Sequence, residues 1–377
     1  MESLHGNLKV FQYGLICVIL YRLEMVSVDT KWIEISKEHI DKEVLKEAGD
    51  IIKKGGLVAF PTETVYGLGG DALNPRSSQK IYEAKGRPSD NPLIVHIARL
   101  EDLPQIVSYI PESAKVLAEH FWPGPLTMIF QKSDIVPHET TGGLETVAVR
   151  FPSDVVAQEF IKEAGGFVAA PSANTSGRPS PTSGRHVYED MQGKIEMILD
   201  GGSCEIGLES TIVDLTEEIP VILRPGYITE EMLESVLNKV NVDRTILSAA
   251  SGIAPKAPGM KYRHYAPKGE LVIVKGKSGK VVSYVNDKLR EGHAQGRKMG
   301  VIATDETIDQ YDACVRKSVG RRTDEASIAR RLYEILREFD REDVEDIYAE
   351  AFDCSGMGQA IMNRLLKAAG HKIIEIS

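Results

Sequence analysis

Residues Phe60–Val95 read FPTETVYGLGGDALNPRSSQKIYEAKGRPSDNPLIV. Leu57–Phe60 predicts a short buried strand. From Pro61 the chain turns polar, with Thr62, Glu63 and Thr64 where a core strand would stay apolar. The chain therefore leaves a sheet here, and ligands bind at such strand ends in open α/β sheets. The run from Gly67 to Ala72 matches the dinucleotide pattern G-x-G-x-x-A. Yet the next helix begins only near Pro75, and no acidic residue closes a second strand about 20 residues on, so a Rossmann nucleotide site is not expected. Ser77–Ala84 predicts a helix whose end delivers Lys85 and Arg87 to a loop containing Gly86, Pro88 and Pro92. Leu93–Ile97 predicts the next strand and carries His96. A guanidinium fork beside an ammonium point charge suits phosphate oxygens. A solvated loop would hold the same cations, but the glycine and prolines favour a fixed one. His96 reads as a core histidine or as a ligand contact.

The chain has 377 residues, 42% of them apolar and 27% charged. That suits a globular protein of about two domains at roughly 100–200 residues each. The net charge of −10 argues against holding nucleic acid by bulk electrostatics. The cysteines Cys17, Cys204, Cys314 and Cys354 form no CxxC pair, and no histidine pattern has metal-ligand spacing. Reduced thiols, no disulfide framework and no zinc site are expected. Val10–Tyr21 is apolar but for Gln12. It is too short to span a bilayer, and Arg22, Leu23 and Glu24 follow it where a small-residue cleavage site would stand. Residues 1–24 read as an extension upstream of Met25 and outside the fold, with a targeting segment as the alternative.

Trp32–Ile35 predicts a strand and Ser36–Lys54 an amphipathic helix. Leu126–Phe130 and Thr146–Phe151 predict strands, the second with Thr146 and Arg150 on one face. An arginine in so apolar a strand needs an anionic partner, either Glu145 or a ligand carboxylate. Phe167–Ala170 predicts a strand that opens into Pro171–Thr182, a loop of hydroxyls, Asn174 and Arg178 with no acidic residue. It reads as a surface turn cluster or as an oxyanion cradle, and its place at a strand end favours the cradle. Ser210–Asp214 and Val221–Leu223 predict further strands, the last ended by Arg224-Pro-Gly. Residues 241–268 read as a linker. Its cluster Met260-Lys-Tyr-Arg-His264-Tyr265-Ala-Pro267 either docks on a domain surface or covers a bound nucleotide. From Glu270 onward strands and helices alternate strictly, which implies a small parallel α/β domain for support, lid or assembly.

In order, FPTETVYGLG, KGRPSDNPLIVHI, FWPGPLT, TVAVR, AAPSAN, SGRPSPT, ESTIVD, LRPG and PGMKYRHYAP resemble the long form of the threonylcarbamoyl-AMP synthase family. The resemblance covers about residues 31–377. It implies a YrdC-like open twisted α/β sheet with a deep basic cavity over 31–240 and a linker or lid over 241–268. A small Rossmann-like parallel α/β domain would occupy 269–377, with 1–30 outside the fold. It implies a cytoplasmic nucleotidyltransferase that joins L-threonine, bicarbonate and ATP, with Mg2+, into threonylcarbamoyl-AMP and pyrophosphate. A transferase complex would then carry the group to tRNA. Neither a membrane nor stable nucleic-acid binding is called for. By motif, Thr64, His96, Arg150, Ala170 and Ser210 would contact threonine. Arg87, Asn91, Thr146, Ser172, Ser180 and Arg224 would contact ATP, and Tyr265 would close over it. Lys85, Arg87, Ser172 and Asn174 form the implied catalytic set, which acts by positioning and charge with no covalent nucleophile. Two other classes fit less well. An RNA-holding module conflicts with the net charge. A carbamoyltransferase of the hydrogenase-maturation type lacks its acylphosphatase-like and zinc-finger segments.

Overall fold

The computed structural model describes residues 28–243, 246 and 264–377. The N-terminal stretch and the linker residues Met260–Arg263 lie outside the described residues. The first domain is a mixed sheet of eleven strands. Their spatial order is β1 (Lys31–Glu34), β8 (Met197–Asp200), β2 (Val58–Phe60), β3 (Gly67–Asp71), β7 (Val168–Ala170), β4 (Ile94–His96), β6 (Thr146–Arg150), β5 (Leu126–Gln131), β9 (Thr211–Asp214), β10 (Val221–Arg224) and β11 (Asn241–Val242). β11 carries the sheet slightly past the expected boundary at residue 240.

Helix α1 (Lys42–Lys53) starts where the Asp41 side chain accepts hydrogen bonds from the backbone of Glu43 and Val44, a standard N-cap. Its apolar stripe of Leu45, Ala48 and Ile52 packs with α2 (Val155–Glu163) against Val58, Phe60, Val168 and Ala170. The helices cross closely at Gly49, where a Cβ would stand 2.5 Å from the Glu163 backbone.

The glycines at 67–71 form a strand that their composition conceals. A Cβ on Gly67 would lie 2.8 Å from the Phe60 ring, and one on Gly69 would lie 2.9 Å from Val168. These glycines therefore admit neighbouring core side chains. No helix begins on them; the following one, α3 (Pro75–Lys85), starts at the Asn74 cap.

The second domain is a parallel sheet in the order β14 (Val315–Ser318), β13 (Met299–Ala303), β15 (Asp346–Glu350), β12 (Glu270–Gly276) and β16 (Ile373–Ile376). The short, charge-bearing β14 and β16 carry little strand signal in sequence. Helices α4 (Glu325–Arg341) and α5 (Gly356–Ala368) bury their apolar faces on this sheet. The same core takes in Val65 and Leu208 of the first domain and Tyr265 of the linker. The two domains are thus welded by shared apolar contact beside the loops that leave the first sheet. Among the described residues no helix is long and apolar enough to cross a membrane.

Candidate functional site

The parallel register of β4 and β6 sets the axis of the site. His96 lies opposite Arg150, and Ile94 opposite Ala148. Thr146, at the start of β6, is four residues from Arg150, about 13 Å along a strand. His96 and Arg150 mark one end, and Asn91 and Thr146 the other. Between them is a cavity lined by Thr64, Lys85, Arg87, His96, Arg150, Ala170, Ser172, Asn174, Ser210, Arg224 and Tyr265. Of the expected contacts, Asn91, Thr146 and Ser180 are not on this lining. The main-chain oxygen of Asn91 accepts from Arg87 Nη2 at 3.2 Å. Ser180 Oγ donates to Glu209 Oε1 at 2.5 Å, and Glu209 does line the cavity.

Arg150 has a partner other than Glu145. Its Nη2 stands 2.8 Å from Glu63 Oε1, with both side chains 5% exposed. Glu145 instead faces His138 at the surface. The alternation of Thr62, Glu63 and Thr64 puts both threonines on the cavity wall while Glu63 reaches Arg150. Glu63 stands three residues beyond the end of β2, and nothing in its local sequence points to Arg150.

Lys85 is fully engaged. Its ammonium donates to the Ser172 carbonyl, to the Asn174 carbonyl at 2.6 Å and to Asn174 Oδ1 at 3.3 Å. Ser172 Oγ in turn donates to Asn174 Oδ1, and Asn174 Nδ2 donates to the carbonyls of Thr175 and Arg178. The loop after β7 is therefore a fixed cradle tied to the end of α3. Burial, reinforced by the Arg87 charge, pulls the Lys85 pKa well below its usual value.

Arg87 and Arg224 hold the positive charge of the cavity. Burial lowers each to about 10, with Arg224 repelling Arg87 and Arg364 repelling Arg224. Both remain charged at neutral pH. Arg87 Nε and both side-chain polar atoms of Asn91 are buried without a protein partner. Such groups are rare in folded proteins, and of these two residues Arg87 lines the cavity. Arg224 donates through Nε to the Ser210 carbonyl at 3.0 Å and through Nη2 to Ser210 Oγ at 3.1 Å.

His96 is held neutral. Burial and then the Arg150 charge push its pKa down to about 3. Its Nδ1 donates to the Ile94 carbonyl at 3.1 Å. Tyr265 is buried on the cavity lining. It adopts φ 65, uncommon for a residue with a Cβ. Its ring lies 5.2 Å from that of Tyr333, with the Arg364 guanidinium 6.0 Å above it. Among the described residues no group of three or more His, Cys, Asp or Glu side chains could hold a metal ion.

A family model described as Telomere recombination matches residues 50–226, and one described as Threonylcarbamoyl-AMP synthase, C-terminal domain, matches residues 228–370. The threonylcarbamoyl-AMP synthase of Pyrococcus abyssi is 47% identical over 90% of this chain and 98% of its own length. That of Bacillus subtilis is 47% identical over 88% and 94%. A crystal structure of P. abyssi Sua5 complexed with L-threonine superimposes with a TM-score of 0.87 at 46% identity, covering 92% of this chain and all of that one. The likeness spans both domains, and the chain belongs to the threonylcarbamoyl-AMP synthase family of nucleotidyltransferase enzymes.

Proposed function

We propose that this enzyme condenses L-threonine, bicarbonate and ATP into threonylcarbamoyl-AMP and pyrophosphate. The observation that carries the reading is one cavity whose lining holds two buried guanidinium groups, Arg150 and Arg87, as anion-binding groups toward its two ends. Arg150 stands at one end. Arg87, with its Nε unpartnered, stands at the other, and the buried Asn91 lies behind it with its main-chain oxygen bonded to Arg87. Two such ends suit an amino-acid carboxylate and a polyphosphate. The P. abyssi relative was crystallised with L-threonine, and Arg150, His96, Thr64, Ala170 and Ser210 are the residues that would receive it here.

In this reading the amine of threonine takes the carbon of bicarbonate with loss of water and becomes a carbamate. A carbamate oxygen then attacks the α-phosphorus, and the bond to the β-phosphate breaks to release pyrophosphate. The chain offers Arg87 and Arg224 to spread the negative charge that grows on the phosphates, in a buried site where such charges act strongly. Lys85 adds charge and holds Ser172 and Asn174 in place. Alignment of the two reactants supplies roughly 7–11 kcal/mol of barrier reduction in favourable cases. Mg2+ would enter as the companion of the nucleotide. The lining holds one carboxylate, Glu209, already bonded to Ser180, Tyr333 and Arg364, so the phosphates and not the protein would supply most of its ligands. Tyr265 must swing away for substrates to enter, and its return would keep water from the labile carbamate. The product would pass in the cytoplasm to a transferase that modifies tRNA.

The test is pyrophosphate release from ATP with threonine and bicarbonate omitted in turn. Release that requires both supports the reading. Release without threonine assigns another acceptor, and salt-dependent RNA binding with no release replaces the reading with that of a binding module.

A further inference from the structure

The nucleotide end of the cavity is not held by the first domain alone. Glu209, in the loop before β9, is 6% exposed and sits between the domains. On the first-domain side its Oε1 accepts from Ser180 Oγ. On the second-domain side Tyr333 of α4 reaches both oxygens, at 3.0 and 2.9 Å, and Arg364 Nε of α5 reaches Oε2 at 2.8 Å. Arg364 also donates through Nη1 to the carbonyl of Pro225, next to Arg224, at 2.8 Å. A second clamp lies beside the first. Arg337 of α4, wholly buried, donates to the Pro179 carbonyl at 2.6 Å and to Asp190 Oδ2 at 2.9 Å. Asp190 in turn accepts from the Thr175 backbone at 3.1 Å. Ser180 is thus gripped through its own hydroxyl and through the preceding carbonyl, and both grips end on arginines of the second domain.

Buried ion pairs of this kind are seldom the most stable filling for an interface, since desolvation offsets much of the attraction. What they supply is direction. Burial would raise the Glu209 pKa, yet Arg364 and Arg224 together hold it down at about 2, so the carboxylate stays ionised and keeps its three donors, Ser180, Tyr333 and Arg364.

We infer that Tyr333, Arg364 and Arg337 are positioning residues for the nucleotide end of the cavity, acting through Glu209 and Asp190 on Ser180, Arg224 and the loop after β7. The second domain is then a part of the substrate site and not merely its cover. This inference rests on the proposed nucleotide substrate.

The test compares full-length variants by their affinity for a non-hydrolysable ATP analogue, measured by calorimetry, alongside thermal melting. Tyr333→Phe removes one hydroxyl and is expected to weaken the analogue about fivefold. Arg364→Ala is expected to weaken it tenfold or more, with Arg364→Lys in between. Arg341→Ala is the control. It breaks the pairs with Glu334 and Glu189 at the same domain interface, meets the second clamp only through the 3.8 Å contact of Glu189 with Arg337, and should lower the melting temperature while leaving affinity within twofold. If Arg364→Ala does not fold, Tyr333→Phe carries the test alone. Affinity within twofold of wild type in Tyr333→Phe, with a melting loss like that of Arg341→Ala, would overturn the inference and leave the contacts purely structural. The substrate reading is judged separately, on wild-type pyrophosphate release, and a wild type that binds no analogue would overturn both.

Discussion

Arg150 and Glu63 form an ion pair 2.8 Å long with both side chains 5% exposed, and it joins the strand that carries the threonine end of the cavity to the loop that walls it. Breaking a buried pair from one side strands the other charge, at about 3–5 kcal/mol. Arg150→Ala should therefore lower stability by that order in urea unfolding and also abolish threonine binding by calorimetry. The double variant Glu63→Ala/Arg150→Ala should recover most of the stability and none of the binding. Recovery of both would mean that Arg150 has no ligand role.

Lys85 and Arg87 are neighbours in sequence with opposite expected behaviour. Lys85 donates to three acceptors of the loop after β7, and removing it orphans buried carbonyls at about 1–3 kcal/mol each. Lys85→Met should lower the melting temperature. Arg87 is a buried cation with an unpartnered Nε and long bonds of 3.2 and 3.5 Å to two carbonyls. Arg87→Met should melt no lower than wild type, and higher if relief of charge crowding dominates, while pyrophosphate release falls by about 10²-fold or more. Equal melting losses in the two variants would remove the distinction.

How far the sequence carries this picture can be judged on these same residues. Strand ends followed by polar turns were visible at Phe60 and Ala170, and they place Thr64 and Ser172 on one cavity, because a run of buried β residues ending in hydroxyls has few other uses. The partner of Arg150 was not visible. Glu63 is separated from it by most of a domain, and only the strand order of the sheet brings them together. The strand at Gly67–Asp71 was hidden because its glycines answer to the Phe60 ring across the sheet and not to local propensity. Arg337 and Arg364 were hidden for a related reason. On an amphipathic helix an arginine reads as solvated surface, and here that face meets the carboxylates Asp190 and Glu209.

Acid should destabilise the protein from about pH 6.5 downward. The folded-state pKa values of His96 and His264 are pushed down to about 3, chiefly by burial, with Arg150 adding to the effect at His96 and Arg87 at His264. Between pH 6.5 and 3 the unfolded chain binds protons that the folded chain does not, so stability rises with pH across that window and levels off above it. Each such group contributes up to about 1.4 kcal/mol per pH unit. Urea unfolding at pH 7.5 and 5.5 should show the fall, and His96→Gln should reduce it by about 1 kcal/mol. A fall of the same size in that variant would show that His96 takes a proton in the folded state.

Ending the chain after Asp243 keeps every strand of the first sheet and removes the second domain. The cut exposes Val65 and Leu208, which pack in the shared core. It also takes Tyr333 and Arg364 from Glu209, and Tyr265 from the lining of the cavity. With Arg364 and the Tyr333 hydroxyl gone, Glu209 keeps Arg224 as its one nearby cation among those that act on it here, and Ser180 loses the fixed acceptor that orients it. The fragment should release no more than a few per cent of the wild-type pyrophosphate, even where circular dichroism shows its sheet intact. Adding Arg364→Ala to the full chain should reproduce part of that loss with Tyr265 and the rest of the second domain still in place, which separates the effect of the clamp from that of losing the domain. Wild-type turnover by a folded fragment would show that the first domain positions its own substrates and that the second domain serves some other end.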